Sequence, residues 1–229
     1  MQEFADSVKL EIQNSFAELK QQLIELARIP GIAWEAFDAN QLELSVQAVA
    51  KLFDETQVFD NVQILRSSAN GRPGAPAVVA RRAAKNGKPQ ILLYAHHDVQ
   101  PPGDRALWES EPFEVSRRSD RLYGRGAADD KAGVITHIYS LKGLKEMAES
   151  LRIGVTVFIE GEEEAGSPTF RNFLEENREL LEADVIIVAD SSNWTTATPA
   201  LTTTLRGLVS QVIEISTLDH ALQDRKSTR

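Results

Sequence analysis

Residues 91–98 read Ile-Leu-Leu-Tyr-Ala-His-His-Asp, an apolar run without alternation that leads straight into two imidazoles and a carboxylate. Such a run suits a strand covered on both faces, because a half-exposed strand would alternate apolar with polar side chains. Two further runs have the same character, Ile153 to Ile159 (with Gly154 and Thr156 inside) and Val185 to Ala189. Both also end on acidic residues: the first leads into Glu160-Gly161-Glu162-Glu163-Glu164, the second into Asp190. Between the runs lie helical patterns, Lys131 to Met147 with Val134, Ile138 and Leu141 on one face, and roughly Thr169 to Leu181 with Phe170, Phe173 and Leu174 on its apolar side. Strand alternating with helix predicts an α/β layered domain with a largely parallel central sheet and flanking helices.

Working outward, Ile12, Phe16, Leu19, Leu23 and Leu26 follow the spacing of one helix face that ends before Pro30-Gly31. Asn40 and Glu43 resemble a capping box for a second helix with the stripe Leu42, Val46, Val49 and Phe53. Val62 to Leu65 and Ala77 to Ala80 are β-like and separated by turn formers, which predicts a hairpin or meander. Beyond Thr198 the chain turns β-like again, through Leu201 to Leu205 and Leu208 to Ile215, broken at Arg206-Gly207.

The composition narrows the chemistry. The 229 residues carry 25 Lys and Arg against 34 Asp and Glu, a net charge of −9, which gives no general attraction to nucleic acid or anionic membrane. With no cysteine, disulfides, thiolate metal sites and a cysteine nucleophile are excluded. Met1 to Lys20 contains no apolar run after a basic start, and no stretch approaches the ~18 apolar residues of a membrane span, so the expected location is cytoplasmic.

In open α/β sheets the functional crevice lies outside the carboxyl ends of the strands. Three strands therefore deliver His96 with Asp98, Glu163 with Glu164, and Asp190 to one edge, and Asp129 joins them from the end of the Gly-rich loop 124–128. Carboxylates gathered this densely repel unless cations neutralise them. Imidazole plus carboxylate without sulfur suits Zn²⁺, Mn²⁺ or Co²⁺, and several carboxylates with few histidines suit two ions sharing a bridging carboxylate. The Gly124-Arg125-Gly126 segment is not a dinucleotide loop, because Asp129 stands where the third Gly belongs and no strong strand precedes it. His97 is expected to face away from His96, since side chains alternate along a strand, and His137 to be a satisfied edge residue of its helix.

Three stretches, Ala95-His96-His97-Asp98-Val99, Gly124-Arg125-Gly126-Ala127-Ala128-Asp129-Asp130-Lys131 and Glu160-Gly161-Glu162-Glu163-Glu164-Ala165-Gly166-Ser167, resemble in order and spacing the dinuclear zinc amidohydrolases. That family includes aminoacylase, carboxypeptidase G, succinyl-diaminopimelate desuccinylase and the cytosolic dipeptidases, and the acidic stretch is most similar to the dipeptidase branch. The resemblance implies a zinc-exopeptidase-like catalytic domain and hydrolysis of a peptide or amide bond in a dipeptide or N-acyl amino acid. It implies that His96 and Asp190 are ligands of the first metal, that Asp129 bridges two divalent ions, that Glu164 binds the second, and that Glu163 is the general base. Asp98 is then the residue that orients the His96 imidazole, and Asp129 is preferred to Asp130 because the family motif reads Asp, any residue, Lys.

Complete members of that family carry an inserted lid domain after an Arg-Gly break, a distal His that completes the second metal site, and a His-Ser-Gly after a segment like Leu218 to Leu222. Here Gln223-Asp224-Arg225-Lys226-Ser227-Thr228-Arg229 follows instead. The expectation is a catalytic portion over 1–206, the start of an α+β lid over 207–222 and an atypical tail over 223–229. The second metal site is then incomplete, the chain binds at most one metal tightly, and a full-length form could pair as a homodimer through its lid. The competing expectation is a truncated, catalytically weak or inactive remnant that binds metal or a partner.

Overall fold

The computed structural model describes residues 2–215 and 217. The chain divides into two units, Met1–Ser191 and Ser192–Arg229. In the first, helices α1 (Gln2–Asn14), α2 (Phe16–Ala27) and α3 (Ala39–Asp54) precede strands β1 (Val62–Leu65), β2 (Ser68–Ala69), β3 (Arg72–Pro73), β4 (Ala77–Arg82) and β5 (Gln90–His96). There follow β6 (Ser116–Arg118), β7 (Arg121–Tyr123), α4 (Lys131–Leu151), β8 (Gly154–Glu160), α5 (Phe170–Glu176), α6 (Arg178–Leu181) and β9 (Val185–Val188).

Five strands form one sheet in the order β1-β4-β8-β5-β9. β8, β5 and β9 run parallel, and β4 is antiparallel to both its neighbours, β1 and β8. The expected α/β layering with a largely parallel centre is therefore what the chain adopts, with β4 the one reversed strand. β1 and β4 pair as the predicted hairpin arms, and the small β2–β3 hairpin occupies their connection.

Alternation along the strands sorts the core into two layers. Val78, Ala80, Leu93, Ala95, Val155, Val157 and Ile159 point to one face, where Val46, Val49 and Phe53 of α3 and Val134, Ile135 and Ile138 of α4 cover them. Ala77, Val79, Leu92 and Phe158 point to the other, against Phe173 of α5 and Leu181 of α6. Phe158 and Phe173 stack there with ring centroids 5.0 Å apart. Removing a fully buried side chain such as Phe53 would cost about 3–5 kcal/mol, the usual figure for Phe to Ala in a core.

Four sequence expectations are corrected. The first helix is two helices, because the Ser15 hydroxyl donates back to the Glu11 carbonyl at 3.0 Å and interrupts the run between α1 and α2. The cap of α3 is Asp38 rather than Asn40: its carboxylate accepts the Asn40 N–H at 3.0 Å, and Glu43 is drawn away into an ion pair with Arg66. The helical stretch 169–181 is split at Asn177 into α5 and α6. β9 is not covered on both faces: it lies at the sheet edge with β5 its only neighbour among the described strands, and all four of its side chains are exposed, Ile186 by 63%.

The segment 192–215 is described by itself. It contains an isolated bridge between Thr195 and Thr198 and no strand over 201–205 or 208–215, where β structure was expected. Apolar pattern alone does not make a strand, because the backbone groups need a ladder partner. His220, Leu222 and the polar tail 223–229 lie outside the described residues. Among the described residues no helix is long and apolar enough to cross a membrane.

Candidate metal centre

The parallel ladders set the site. His96 stands opposite Glu160 on β8, and the β5–β9 register, which pairs Tyr94 with Val188, carries Asp190 up beside His96. Ala189 N–H donates to the Tyr94 carbonyl at 3.0 Å, so this register holds to the residue before Asp190. His96 Nε2 lies 3.0 Å from Asp129 Oδ1, 3.9 Å from Glu163 Oε2 and 3.9 Å from Asp190 Oδ2. Ligand atoms of His96, Asp129 and Asp190 all fall within 4.8 Å of one another. One neutral-capable nitrogen ringed by carboxylate oxygens is a donor set that fits a divalent cation of the zinc type.

The other imidazole nitrogen is occupied from below. His96 Nδ1 is 3.1 Å from the Asp98 carbonyl and 3.4 Å from its carboxylate, and both residues are fully buried. Burial pulls the His96 pKa down, but the Asp98 carboxylate, with Asp130 and Asp190, outweighs it and pushes the value up to about 10. Asp98 also holds the acidic loop, its two oxygens accepting the backbone N–H groups of Glu163 at 3.2 Å and Glu164 at 3.0 Å. One buried carboxylate therefore fixes both the imidazole and the loop that carries the candidate base.

That loop is a 3-10 turn over Glu163–Ala165, ended by Gly166 at φ +81°. Its three acidic residues separate by role. Glu162 is buried and accepts from Ala75 N–H, Thr169 N–H and the Thr169 hydroxyl, a full set of partners for a carboxylate inside the fold. Glu163 reaches toward His96, and burial first, then Asp190, Glu164 and Asp98, raise its pKa against the pull of His96. Glu164 is held elsewhere: its carboxylate accepts from Gln100 Nε2 at 2.6 Å. Glu164 does not belong to the three-residue donor group around His96.

Asp129 and Asp130 also part company, across a cis peptide bond. The Asp129 side chain is 63% exposed and faces His96, whereas Asp130 is buried, accepts from His96 N–H and Gly133 N–H, and has its pKa pushed up to about 7 by burial. Gly133 permits this, because a Cβ there would run into both the Ala189 carbonyl oxygen and Asp130 Oδ1. The start of α4 can therefore approach the end of β9 only without a side chain at this position.

Beneath the site runs a buried polar chain. His97 Nε2 donates to the Pro76 carbonyl at 2.8 Å, which leaves Nδ1 to accept from the Ser45 hydroxyl at 3.1 Å. Lys131 Nζ donates to Ser45 Oγ at 2.6 Å and to the His97 carbonyl. Burial, assisted by Lys131, holds His97 down at about 4, and burial lowers Lys131 to about 7 against the opposing pull of Asp98 and Asp130. His97 thus faces away from the His96–Asp129–Asp190 group, and His137 donates to the Tyr94 carbonyl at 2.8 Å from within α4. The roles of Ser45, Gln100, Asp130 and Lys131 were not read from the sequence. Lys131 alone left a signal, the Asp-x-Lys spacing after Asp129.

Comparison with known proteins bears on the family and the fold. The profile described as peptidase family M20/M25/M40 matches residues 92–221. The chain is 37% identical over 146 residues to the cysteinylglycine-S-conjugate dipeptidase of Corynebacterium striatum, covering 63% of this chain and 32% of that protein. It is 29% identical over 149 residues to the Beta-Ala-His dipeptidase of Rattus norvegicus, covering 64% and 30% respectively. Among solved structures, human carnosine dipeptidase 1 shares the fold with a TM-score of 0.70 at 24% identity, over 82% of this chain and 41% of that one. The M20 metallo-carboxypeptidase Sso-CP2 of Sulfolobus solfataricus gives 0.62 at 28% identity, over 77% and 38%. The chain thus spans about a third of the length of these curated relatives. His96, Asp129 and Asp190 all lie in the matched stretch and converge where the parallel strands end, and the chain belongs to peptidase family M20/M25/M40.

Proposed function

We propose that the protein hydrolyses the peptide or amide bond of a dipeptide or N-acyl amino acid in a metal-dependent reaction. The observation that carries this reading is the convergence of three donor atoms within 4.8 Å, with the Glu163 carboxylate 3.9 Å from the same imidazole nitrogen. His96, Asp129 and Asp190 would hold one divalent ion, and Asp129 with Glu164 a second, with Zn²⁺ the first choice and Mn²⁺ or Co²⁺ the alternatives. Bound there, the ions supply the positive charge that offsets the clustered carboxylates, acidifies a water and polarises the amide carbonyl. Glu163 accepts a proton from the attacking water, whose oxygen bonds to the carbonyl carbon, and returns it to the amine nitrogen as the carbon–nitrogen bond breaks. Its raised pKa suits both halves of that transfer.

Residues 1–206 are the catalytic portion in this reading and 207–222 the start of a lid. Dipeptide substrates are supported by the names of the two dipeptidases above. The test is hydrolysis of a dipeptide panel in the presence of Zn²⁺ by the wild type and by Glu163→Gln. Glu163→Gln should lose about 10²–10⁴-fold in rate with zinc binding retained. Equal rates above the zinc-only background in the two proteins would remove Glu163 from its role, and a wild type at background would overturn hydrolysis by this chain.

A further inference from the structure

The groups that hold Glu164 come from outside its own loop. Its N–H is taken by Asp98, its carbonyl accepts from Trp34 Nε1 at 3.0 Å and Gln100 Nε2 at 3.1 Å, and its carboxylate Oε2 accepts from Gln100 Nε2 at 2.6 Å. Both Gln100 contacts are to acceptors, so the amide must present its nitrogen, and its two N–H groups form a pincer on one residue. Gln100 is partly buried and lies four residues after His96 on the same segment.

We infer that Gln100 is a positioning residue for the second metal, which it serves by fixing the Glu164 carboxylate. This rests on the reading of Glu164 as a ligand given above. The chemistry explains the residue type. An amide holds a carboxylate oxygen without bringing a charge, so the anion's attraction for a cation is kept. A Lys or Arg at this point would neutralise the carboxylate and compete with the ion, and a Glu would repel it. The segment 96–100 then supplies His96 to one ion and orients the ligand of the other, with Asp98 tying both to the acidic loop. Hydrogen-bond partners of ligands of this kind typically control metal affinity by about 10–100-fold.

The experiment is a Zn²⁺ titration of the 229-residue chain, followed by competition with a chromophoric chelator and carried to millimolar metal. The variants are Gln100→Ala, Glu164→Gln and the double variant, with the melting temperature of each metal-free protein recorded. The expected result is a tight class unchanged in Gln100→Ala and a weaker class reduced by about 10–100-fold. The double variant should lose no more than Glu164→Gln alone, and the metal-free melting temperatures should agree. If Glu164→Gln loses the weaker class while Gln100→Ala keeps it, the positioning role fails and the ligand reading stands. If Glu164→Gln binds as the wild type does, or no second class exists, the ligand reading fails and the inference falls with it. Loss of both classes together with a lowered melting temperature in Gln100→Ala would mark a structural role and overturn the inference.

Discussion

Ser45→Ala tests whether the buried chain beneath the cluster of donor atoms is as fully paired as its geometry says. The serine hydroxyl accepts from Lys131 Nζ and donates to His97 Nδ1, so its removal strips one partner from each of two buried groups. Leaving a buried polar group unsatisfied costs about 1–3 kcal/mol. Two such groups set a range of roughly 2–6 kcal/mol. The lower half applies here, because Lys131 keeps the His97 carbonyl and His97 keeps Pro76. The expected loss is about 3 kcal/mol, a large fraction of the ~5–15 kcal/mol by which domains are stable. In urea, at a slope near 2 kcal/mol/M, the midpoint should fall by about 1.5 M with the slope unchanged. Far-UV circular dichroism of the metal-free protein measures it. Lys131→Met supplies the second leg of a double-mutant cycle, since without the amine the serine has less to satisfy. The cycle should return a coupling of about 1–2 kcal/mol. A midpoint shift corresponding to less than about 1 kcal/mol, or a coupling of zero, would refute the claim that Ser45 bridges the two.

Two further outcomes follow from the same geometry. The unfolded chain protonates His97 near 6.5 whereas the buried ring refuses the proton until about 4, so between these values the His97 contribution to stability falls as the pH drops, by about 3 kcal/mol across the window. Asp130, which the fold keeps protonated up to about 7, contributes with the opposite sign over the same range, so the test is an NMR titration of the His97 ring in the metal-free protein, and a ring that titrates near 6.5 would remove His97 as a source of pH dependence. Gly133→Ala forces a methyl against the Ala189 carbonyl and the Asp130 carboxylate, so it should cost about 1–3 kcal/mol and weaken the tight zinc class by moving the residue next to Asp190. Wild-type zinc affinity in this variant would show that the approach of α4 to β9 does not set the site.

The parts of the fold legible in the sequence were those with an unambiguous period or run. The three apolar strands and the helix at Lys131 are where the pattern placed them, and for β5 and β8 the reason is burial on the sheet's two faces, which selects for residue types that local pattern reveals. What escaped was decided by short-range side-chain bonds and by position in the sheet, which apolar periodicity does not carry. Asp38 outcompetes Asn40 for a cap, Ser15 breaks a stripe that Phe16 continues on paper, and β9 keeps its apolar composition at an exposed edge. Within the site, strand ends and motif spacing picked out His96, Asp129 and Asp190. Gln100 and Ser45 left no such trace, because an amide or hydroxyl acquires a role only from what it meets across the fold, and both meet residues far away in sequence.

A common device underlies these observations. At three points where the chain meets the cluster, a chemistry-bearing residue has a neighbour of the same type turned inward: His96 with His97, Asp129 with Asp130, and Glu163 with Glu162. The inward member is buried and hydrogen-bonded to backbone on another element, Pro76 for His97, His96 and Gly133 for Asp130, and Ala75 and Thr169 for Glu162. Backbone geometry makes the division possible, since adjacent side chains leaving a strand or a tight turn diverge. Electrostatics makes it useful: the cluster's like charges push its loops apart, and the inward residues anchor those loops with bonds that do not depend on the cation. Substituting the half-exposed Asp129 or Glu163 should therefore change metal binding or proton transfer at nearly constant stability, whereas substituting the inward twin, or the equally buried His96, should lower stability as well. In a site assembled from separate loops, this separation of roles holds mutually repelling ligands close enough to share a charge.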